Sequence, residues 1–341
     1  MIFCNKHTTL PGICILFFSL CLFSCTPKEK NSFNADIKYI SHFPCEEELV
    51  GEKLSYIQDI AFYGCDLVYP YLLLSLGSQE FLTGIYDVDK KCFVRNCFAH
   101  GPGPDEFNSF IIIDIHKDSL LCVNDVYRKE FRIIRLDQTM LTGQMNYEKI
   151  VNYEGIHEIV FYSDTLMWLK NCNNNKISYT STNPAYPERV LYKEKIGHRD
   201  LDNIRILADA IKPDGSKLVL LAGILNQIDI LSLTSADENI SVTTSSSPLP
   251  TLKDMQKDDY AHATNYYVGI PRCNETCIMA LHIDDKTGGK ELHAIDWKGN
   301  ALACLKLKED LIDFCVDWER NQMYGVTSTE EVYFYQLPTI L

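Results

Sequence analysis

The stretch Asp59-Ile60-Ala61-Phe62, Gly64-Cys65-Asp66, Tyr71-Leu72-Leu73-Leu74, Gly84-Ile85-Tyr86, Asp87-Val88-Asp89 and Cys92-Phe93-Val94 decides the fold. It reads as a strand, a tight polar turn at Gly64-Cys65-Asp66, a second strand, a polar loop, a third strand, a turn at Asp87-Val88-Asp89 and a fourth strand. No stretch carries a helical stripe long enough to compete, so the unit is all-β.

The same unit recurs along the chain. A second copy runs Ile111-Ile112-Ile113, turns at Lys117-Asp118, and continues through Leu120-Leu121-Cys122-Val123 and Phe131-Arg132-Ile133-Ile134 to Leu136-Asp137. A third opens with Ile159-Val160-Phe161, turns at Asp164 and runs through Leu166-Met167-Trp168-Leu169 to Lys176-Ile177-Ser178-Tyr179. The fourth turns at Asp214-Gly215. The fifth turns around Glu275 and closes with Leu292-His293-Ala294-Ile295 before Asp296-Trp297-Lys298-Gly299; the sixth turns near Arg320 and ends in Val332-Tyr333-Phe334-Tyr335. First turns at 66, 118, 164, 214, 275 and 320 recur about every 51 residues, the length of a four-stranded propeller blade.

A twisted sheet has two faces to bury, and a ring of such sheets buries each face against a neighbour. The expected fold is therefore an all-β, six-bladed β-propeller with four-stranded blades over residues 36–341. The last unit shows only three strands before Leu341, while an orphan strand, Ile37-Lys38-Tyr39-Ile40, precedes the first unit. The expectation is that this N-terminal strand closes the last blade and protects its open edge. Two β-sandwich domains, the alternative architecture, would show neither a fixed period nor an orphan strand.

The amino terminus differs in kind. Lys6 and His7 precede an apolar run from Ile13 to Phe23, stopped by Ser24-Cys25-Thr26-Pro27, which is the build of a signal peptide over residues 1–24. Eleven apolar residues reach only about 16 Å as a helix against a bilayer core of about 30 Å. Leu22-Phe23-Ser24-Cys25 resembles a bacterial lipobox, with Phe23 a looser fit than usual. The resemblance implies cleavage before Cys25 and its acylation, and several acyl chains anchor stably where one does not. An ordinary secretory peptide with Cys25 near the cut is the other reading, and export follows from both. Residues 25–35, polar and without apolar period, read as a flexible tether.

The expected location is thus the bacterial cell envelope, lipid-anchored at an outer-membrane or periplasmic face. A formal net charge of −14 over 341 residues, with no basic cluster beyond Lys28-Glu29-Lys30, excludes a phosphate backbone as partner. Of fourteen cysteines, Cys92, Cys97, Cys122, Cys304 and Cys315 sit in apolar runs and read as core residues. Cys273 and Cys277 flank a turn, either as a local disulfide or as two thiols.

The first unit ends in His100-Gly101-Pro102-Gly103-Pro104-Asp105-Glu106-Phe107. This resembles the G-x-G-P-G-E-F segment of the TolB-like six-bladed propeller lipoproteins of Bacteroidales. Gly101, Gly103, Pro104, Glu106 and Phe107 match, and Asp105 replaces the last glycine. The resemblance implies the propeller fold and an envelope location, and it implies no particular activity. As local structure the segment is a rigid inter-blade turn, with Phe107 plugging the core and Glu106 capping a backbone group.

Catalytic signatures are near misses. His157-Glu158 lacks the second histidine of HExxH, no G-x-S-x-G occurs, and Gly101-Pro102-Gly103 leads into a strand rather than a helix. No metal-ligand set and no cofactor motif is legible. Ligands of propellers meet the face carrying the second-to-third-strand loops and the inter-blade loops. On it the sequence places His100, Glu106, Arg128, His198, Arg199, Tyr260 and His262 as candidate ligand contacts. Asp118-Ser119-Leu120 and Asp164-Thr165-Leu166 look like the acceptor for O-glycosylation used in Bacteroidales, at Ser119 and Thr165, and are also ordinary turns. The expected function is a non-catalytic binding or scaffold propeller on the envelope, taking a saccharide, peptide or partner protein. The alternative is a lactonase-like hydrolase or lyase with a metal in the central channel.

Overall fold

The computed structural model describes residues 35–339 apart from 55–60, 79, 117–118, 154–156, 174–175, 193–194, 197–198, 201–207, 223–224, 236–237, 246–265 and 285–286. It is a six-bladed β-propeller. Blade one is Phe62–Val68, Tyr71–Leu76, Phe81–Asp87 and Cys92–Ala99, each strand antiparallel to the next. Blade two is Ile111–His116, Leu120–Asp125, Glu130–Arg135 and Tyr147–Asn152; blade three is His157–Tyr162, Met167–Asn173, Lys176–Ser181 and Arg189–Tyr192. Blade four runs Ala208–Ile211, Lys217–Leu221, Ile228–Ser232 and Ile240–Thr243, and blade five Tyr267–Cys273, Cys277–Ile283, Lys290–Asp296 and Ala301–Leu307. Blade six has Leu311–Asp317, Gln322–Thr327 and Val332–Gln336 from the carboxy-terminal end.

The first strand of each blade touches the first strands of both neighbours, so these six strands form the inner wall of a closed ring. Apolar residues on both faces of every sheet follow from that closure. Each of the six blade-to-blade contacts has its own buried cluster: Leu73, Phe107 and Val123 between blades one and two, for example, and Leu72, Tyr86 and Val326 between blades six and one. In five of the six inner strands the pairing with the second strand slips by a bulge, at 62/64, 112/114, 159/161, 268/272 and 311/313. A bulge adds twist and re-aims side chains, here along the wall of the channel.

The amino-terminal segment closes the ring differently from the simplest expectation. Ile37 is not on the last blade: Asp36–Tyr39 pairs in parallel with Ile240–Thr243 as a fifth, outer strand of blade four. Glu46–Leu49 then lies parallel to the outer strand of blade five, from Glu46 opposite Cys304 to Leu49 opposite Leu307. Only Glu52–Lys53 completes blade six, antiparallel to Val332–Gln336. The segment straps three blades before it enters the first, because its apolar residues are spread thinly and each short run finds a different edge. Ala35, the last residue of the expected tether, is already buried.

Three local readings are corrected. Gly64, Cys65 and Asp66 lie inside the first strand of blade one, and the turn is at Tyr69-Pro70, joined by a cis peptide. Leu136-Asp137 opens a helix of about two turns, Leu136–Thr142, ended by Gly143 at φ 74°, a left-handed conformation that glycine adopts without strain. Cys92 is exposed, whereas Cys97, Cys122, Cys304 and Cys315 are buried as expected; Cys273 and Cys277 are not bridged to each other. Among the described residues no helix is long and apolar enough to cross a membrane.

Candidate functional site

The face carrying the second-to-third-strand loops is organised by the segment after blade one. Glu106 accepts the Gly103 N–H at 2.6 Å, folding its carboxylate back over the turn. A Cβ on Gly101 would sit 2.2 Å from Glu106 Oε2 and one on Gly103 2.9 Å from it, so this carboxylate position requires glycine at both places. Arg128, reaching from the second-to-third-strand loop of blade two, donates to Gly101 O at 3.3 Å and Gly103 O at 2.6 Å. Arg132, buried, donates to Pro104 O and Glu106 O and stacks its guanidinium 4.6 Å from the Phe107 ring centroid. Phe107 is fully buried between Phe98 and Phe110. Asp125 receives the N–H groups of Asn108 and Ser109, which ends the segment firmly.

Of the candidate contacts read from sequence, Glu106 and Arg128 are thus engaged with the turn itself, and His100 is exposed beside it, bridged to Phe107. The Arg199 backbone pairs with Ile196; its side chain, together with His198, Tyr260, His262 and Cys25, lies outside the described residues. Ser119 and Thr165 sit in the first turns of blades two and three, on the opposite face. Thr165 is exposed and helps line a cleft of about 320 Å³ with Tyr186, Asn183 and Asp214.

Around the channel mouth the polar turn gives way to apolar side chains that no periodicity in the sequence marks. Tyr63, Ile111 and Ile270 stand on three inner strands and are 64%, 45% and 46% exposed. Tyr127, one residue before Arg128, is 80% exposed. Deeper in the ring the wall is polar and self-paired. Arg272 donates to Asp66 Oδ1 at 2.7 Å, to Cys65 O at 2.9 Å and to Phe314 O at 2.7 Å, and Asp313 Oδ2 takes the Cys65 N–H at 3.0 Å. Burial pushes the Asp66 carboxyl up to about 6; the Arg272 charge opposes the rise and the Asp313 carboxylate adds to it.

No family model and no curated protein matches this sequence. Solved structures do match. A member of the DUF4221 family from Bacteroides vulgatus superposes with a TM-score of 0.52 at 10% identity, over 85% of this chain and 97% of that one. The chain shares its propeller fold with that protein. Hsv2 from Kluyveromyces lactis, with complete loop 6CD, gives 0.42 at 11% identity over 82% and 74% of the two chains. The form of KlHsv2 with loop 6CD replaced by a Gly-Ser linker gives 0.41 at 11% over 81% and 77%. At these identities the likeness is one of architecture, and the chemistry has to be read from the site.

A second group of residues, which the sequence reading did not bring together, lies on blade five facing blade four. Glu291 and His293 are two apart on the third strand and so share a face, and His282 stands directly opposite Glu291 on the second strand. Glu291 Oε1 accepts from His282 Nδ1 at 3.1 Å and from His293 Nε2 at 2.9 Å, and the two rings stack with centroids 4.1 Å apart. Both histidines are buried, at 4% and 2% exposure, under Phe43 of the amino-terminal strap and the two tyrosines Tyr266 and Tyr267. The hydrogen bonds from His282 and His293 hold the Glu291 carboxyl well below the usual range, and burial pulls His293 down to about 4 in spite of Glu291. Glu291-Leu292-His293 on a strand was the available signal; its partner nine residues earlier becomes a neighbour only through the hairpin.

Proposed function

We propose that the protein is a non-catalytic binding propeller, held at the bacterial envelope through Cys25, whose ligand is a saccharide bound at the channel mouth. The observation that carries this reading is the exposure of Tyr63, Ile111 and Ile270 on inner strands and of Tyr127 in the second-to-third-strand loop of blade two. Large apolar side chains left in water around a concave mouth are the mark of a binding surface rather than of a wall. Tyrosine suits a sugar: its ring face packs against C–H groups while its hydroxyl stays in water. The neighbouring 101–107 turn, fixed by Glu106, Arg128 and Arg132, costs little ordering entropy when a ligand arrives.

A lactonase-like centre would need His, Asp, Glu or Asn side chains from several blades aimed at one point in the channel. In the inner wall, Asp66 and Asp313 are instead directed at Arg272, which ties three blades together. The test is a glycan array probed with the purified protein, followed by calorimetry with any hit and with Tyr63→Ala and Tyr127→Ala. Retention of a glycan without turnover, weakened at least tenfold in either variant, supports the reading. Turnover of a bound ester or glycan that a chelator abolishes would replace it with the hydrolase alternative.

A further inference from the structure

We propose that His282, Glu291 and His293 form a binding site for a divalent first-row transition metal, zinc before others. The site is independent of what binds at the channel mouth, since it lies between blades four and five and uses none of the mouth residues.

As a set of hydrogen bonds the cluster does not close. One carboxylate oxygen serves two imidazoles, and His282 Nε2 is buried with no hydrogen-bond partner among the described residues. A buried imidazole with an unused nitrogen carries a desolvation cost that natural cores avoid. Both rings are stacked and wedged by aromatic neighbours, which fixes them instead of letting them turn outward to water. A cation held by His282 Nδ1, His293 Nε2 and Glu291 removes the double use of Oε1, because each ring then gives a lone pair and the carboxylate supplies charge; His282 Nε2 stays outside that set.

The distances suit that role. One donor atom from each of the three residues lies within 4.8 Å of the other two. The separations from Glu291 Oε1 to the ring nitrogens, 3.1 and 2.9 Å, approach the roughly 3.3 Å between neighbouring ligands of a tetrahedral zinc with bonds of about 2.0 Å. Two imidazoles and one carboxylate select zinc and its neighbours over calcium or magnesium, which prefer all-oxygen sets. The surroundings supply the outer contacts such sites use. Tyr267 Oη is 3.5 Å from His293 Nδ1, and the Cys304 thiol donates to Glu291 Oε2 at 3.3 Å.

Placement gives the ion a structural consequence. His282 and His293 belong to the second and third strands of blade five, and Phe43, which stacks on His293 at 4.8 Å between centroids, belongs to the strap. Metal binding would therefore lock blade five and the strap over it in one arrangement.

The test uses untagged protein stripped with chelator and dialysed. Zinc alone is titrated in competition with a chromophoric chelator, and the cobalt(II) form is examined by visible absorption. The expected result is one equivalent of zinc, a rise in melting temperature on loading, and cobalt ligand-field bands that saturate at one equivalent. His293→Gln and Glu291→Gln, checked for folding by circular dichroism, should bind zinc at least a hundredfold more weakly. Equal binding by wild type and the folded variants overturns the proposal, as does wild type that takes up no zinc. Should both variants fail to fold, the cobalt titration of wild type decides alone: absence of bands at one equivalent overturns the site.

Discussion

Arg272, on the inner strand of blade five, donates from Nη1 to Asp66 Oδ1 at 2.7 Å on the inner strand of blade one, 206 residues away in sequence. Between them stands blade six, whose Phe314 carbonyl and Asp313 carboxylate the same guanidinium also reaches. One side chain thus spans the seam where the end of the chain meets its beginning. Because the guanidinium is only 17% exposed, its removal leaves two carboxylates facing each other with little water to screen them. Arg272→Met is expected to lower stability by roughly 3–5 kcal/mol, read from urea midpoints at neutral pH. Arg272→Met combined with Asp66→Asn and Asp313→Asn should recover most of that loss, since the cost lies in orphaned charge more than in lost packing.

The same network sets a pH dependence. Asp66 is held at about 6 against an ordinary value of 3.8. Between about pH 4 and 6 the folded chain therefore keeps a proton that the unfolded chain has released. The stability owed to this group is complete below that window and falls as pH rises through it. Asp66→Asn is neutral throughout, so wild type should lose roughly 2 kcal/mol relative to the variant from pH 4 to pH 6.5, in paired urea titrations. A gain with rising pH would mean that attraction to Arg272 outweighs burial.

What the sequence made legible was whatever is local and periodic. Six repeats and the first turns at Asp164, Asp214, Glu275 and Arg320 follow from runs such as Leu120-Leu121-Cys122-Val123 broken by turn residues, because blade stacking forces both faces of each sheet to be apolar; the expected turn at Lys117-Asp118 lies outside the described residues. Gly64-Cys65-Asp66 misled because its residue types favour a turn, while packing against Asp313 of the neighbouring blade keeps it extended: a Cβ on Gly64 would lie 3.0 Å from Asp313 Oδ2. The strap was only half legible. Edge pairing of Ile37 with Ser241 or Glu46 with Cys304 is set by which outer strand is free, and no residue of the strap encodes that. The His282, Glu291 and His293 cluster was hidden for a similar reason, since a hairpin register brings its members together.

Phe107 offers a sharper test of the inter-blade turn. It is fully buried, meets Phe98 and Phe110 edge-on at 5.8 and 5.1 Å between centroids, and carries Arg132 over its face. Phe107→Ala removes the plug and leaves the Arg132 guanidinium beside a cavity, for an expected loss of roughly 3–5 kcal/mol. Phe107→Leu, which keeps much of the volume, should lose about half as much. Thermal or urea unfolding of both variants distinguishes a plug from a surface contact, for which the loss would stay within about 0.5 kcal/mol.

The strap makes the last prediction, because it does two separable things. Glu52–Lys53 supplies the fourth strand of blade six, and without it Val332–Gln336 becomes a bare edge. Leu49, 7% exposed, fills the contact between blades five and six against Tyr335 and Leu307, and Gly51 lets the chain pass close to Tyr333 and Tyr335, where a Cβ would come within 2.9 Å of both rings. Leu49→Ala should therefore cost roughly 2–4 kcal/mol while the protein stays monodisperse, since the edge is still covered. Gly51→Ala should cost roughly 1–3 kcal/mol by overpacking, with the same monodispersity. Deleting residues 35–53 removes the cover as well as the filling, and an unpaired strand edge is a template for pairing with another copy. That chain is expected to form concentration-dependent oligomers by light scattering, a behaviour neither point variant shares. Oligomers in Leu49→Ala, or a monodisperse deletion, would show that the bare edge is not what the strap guards.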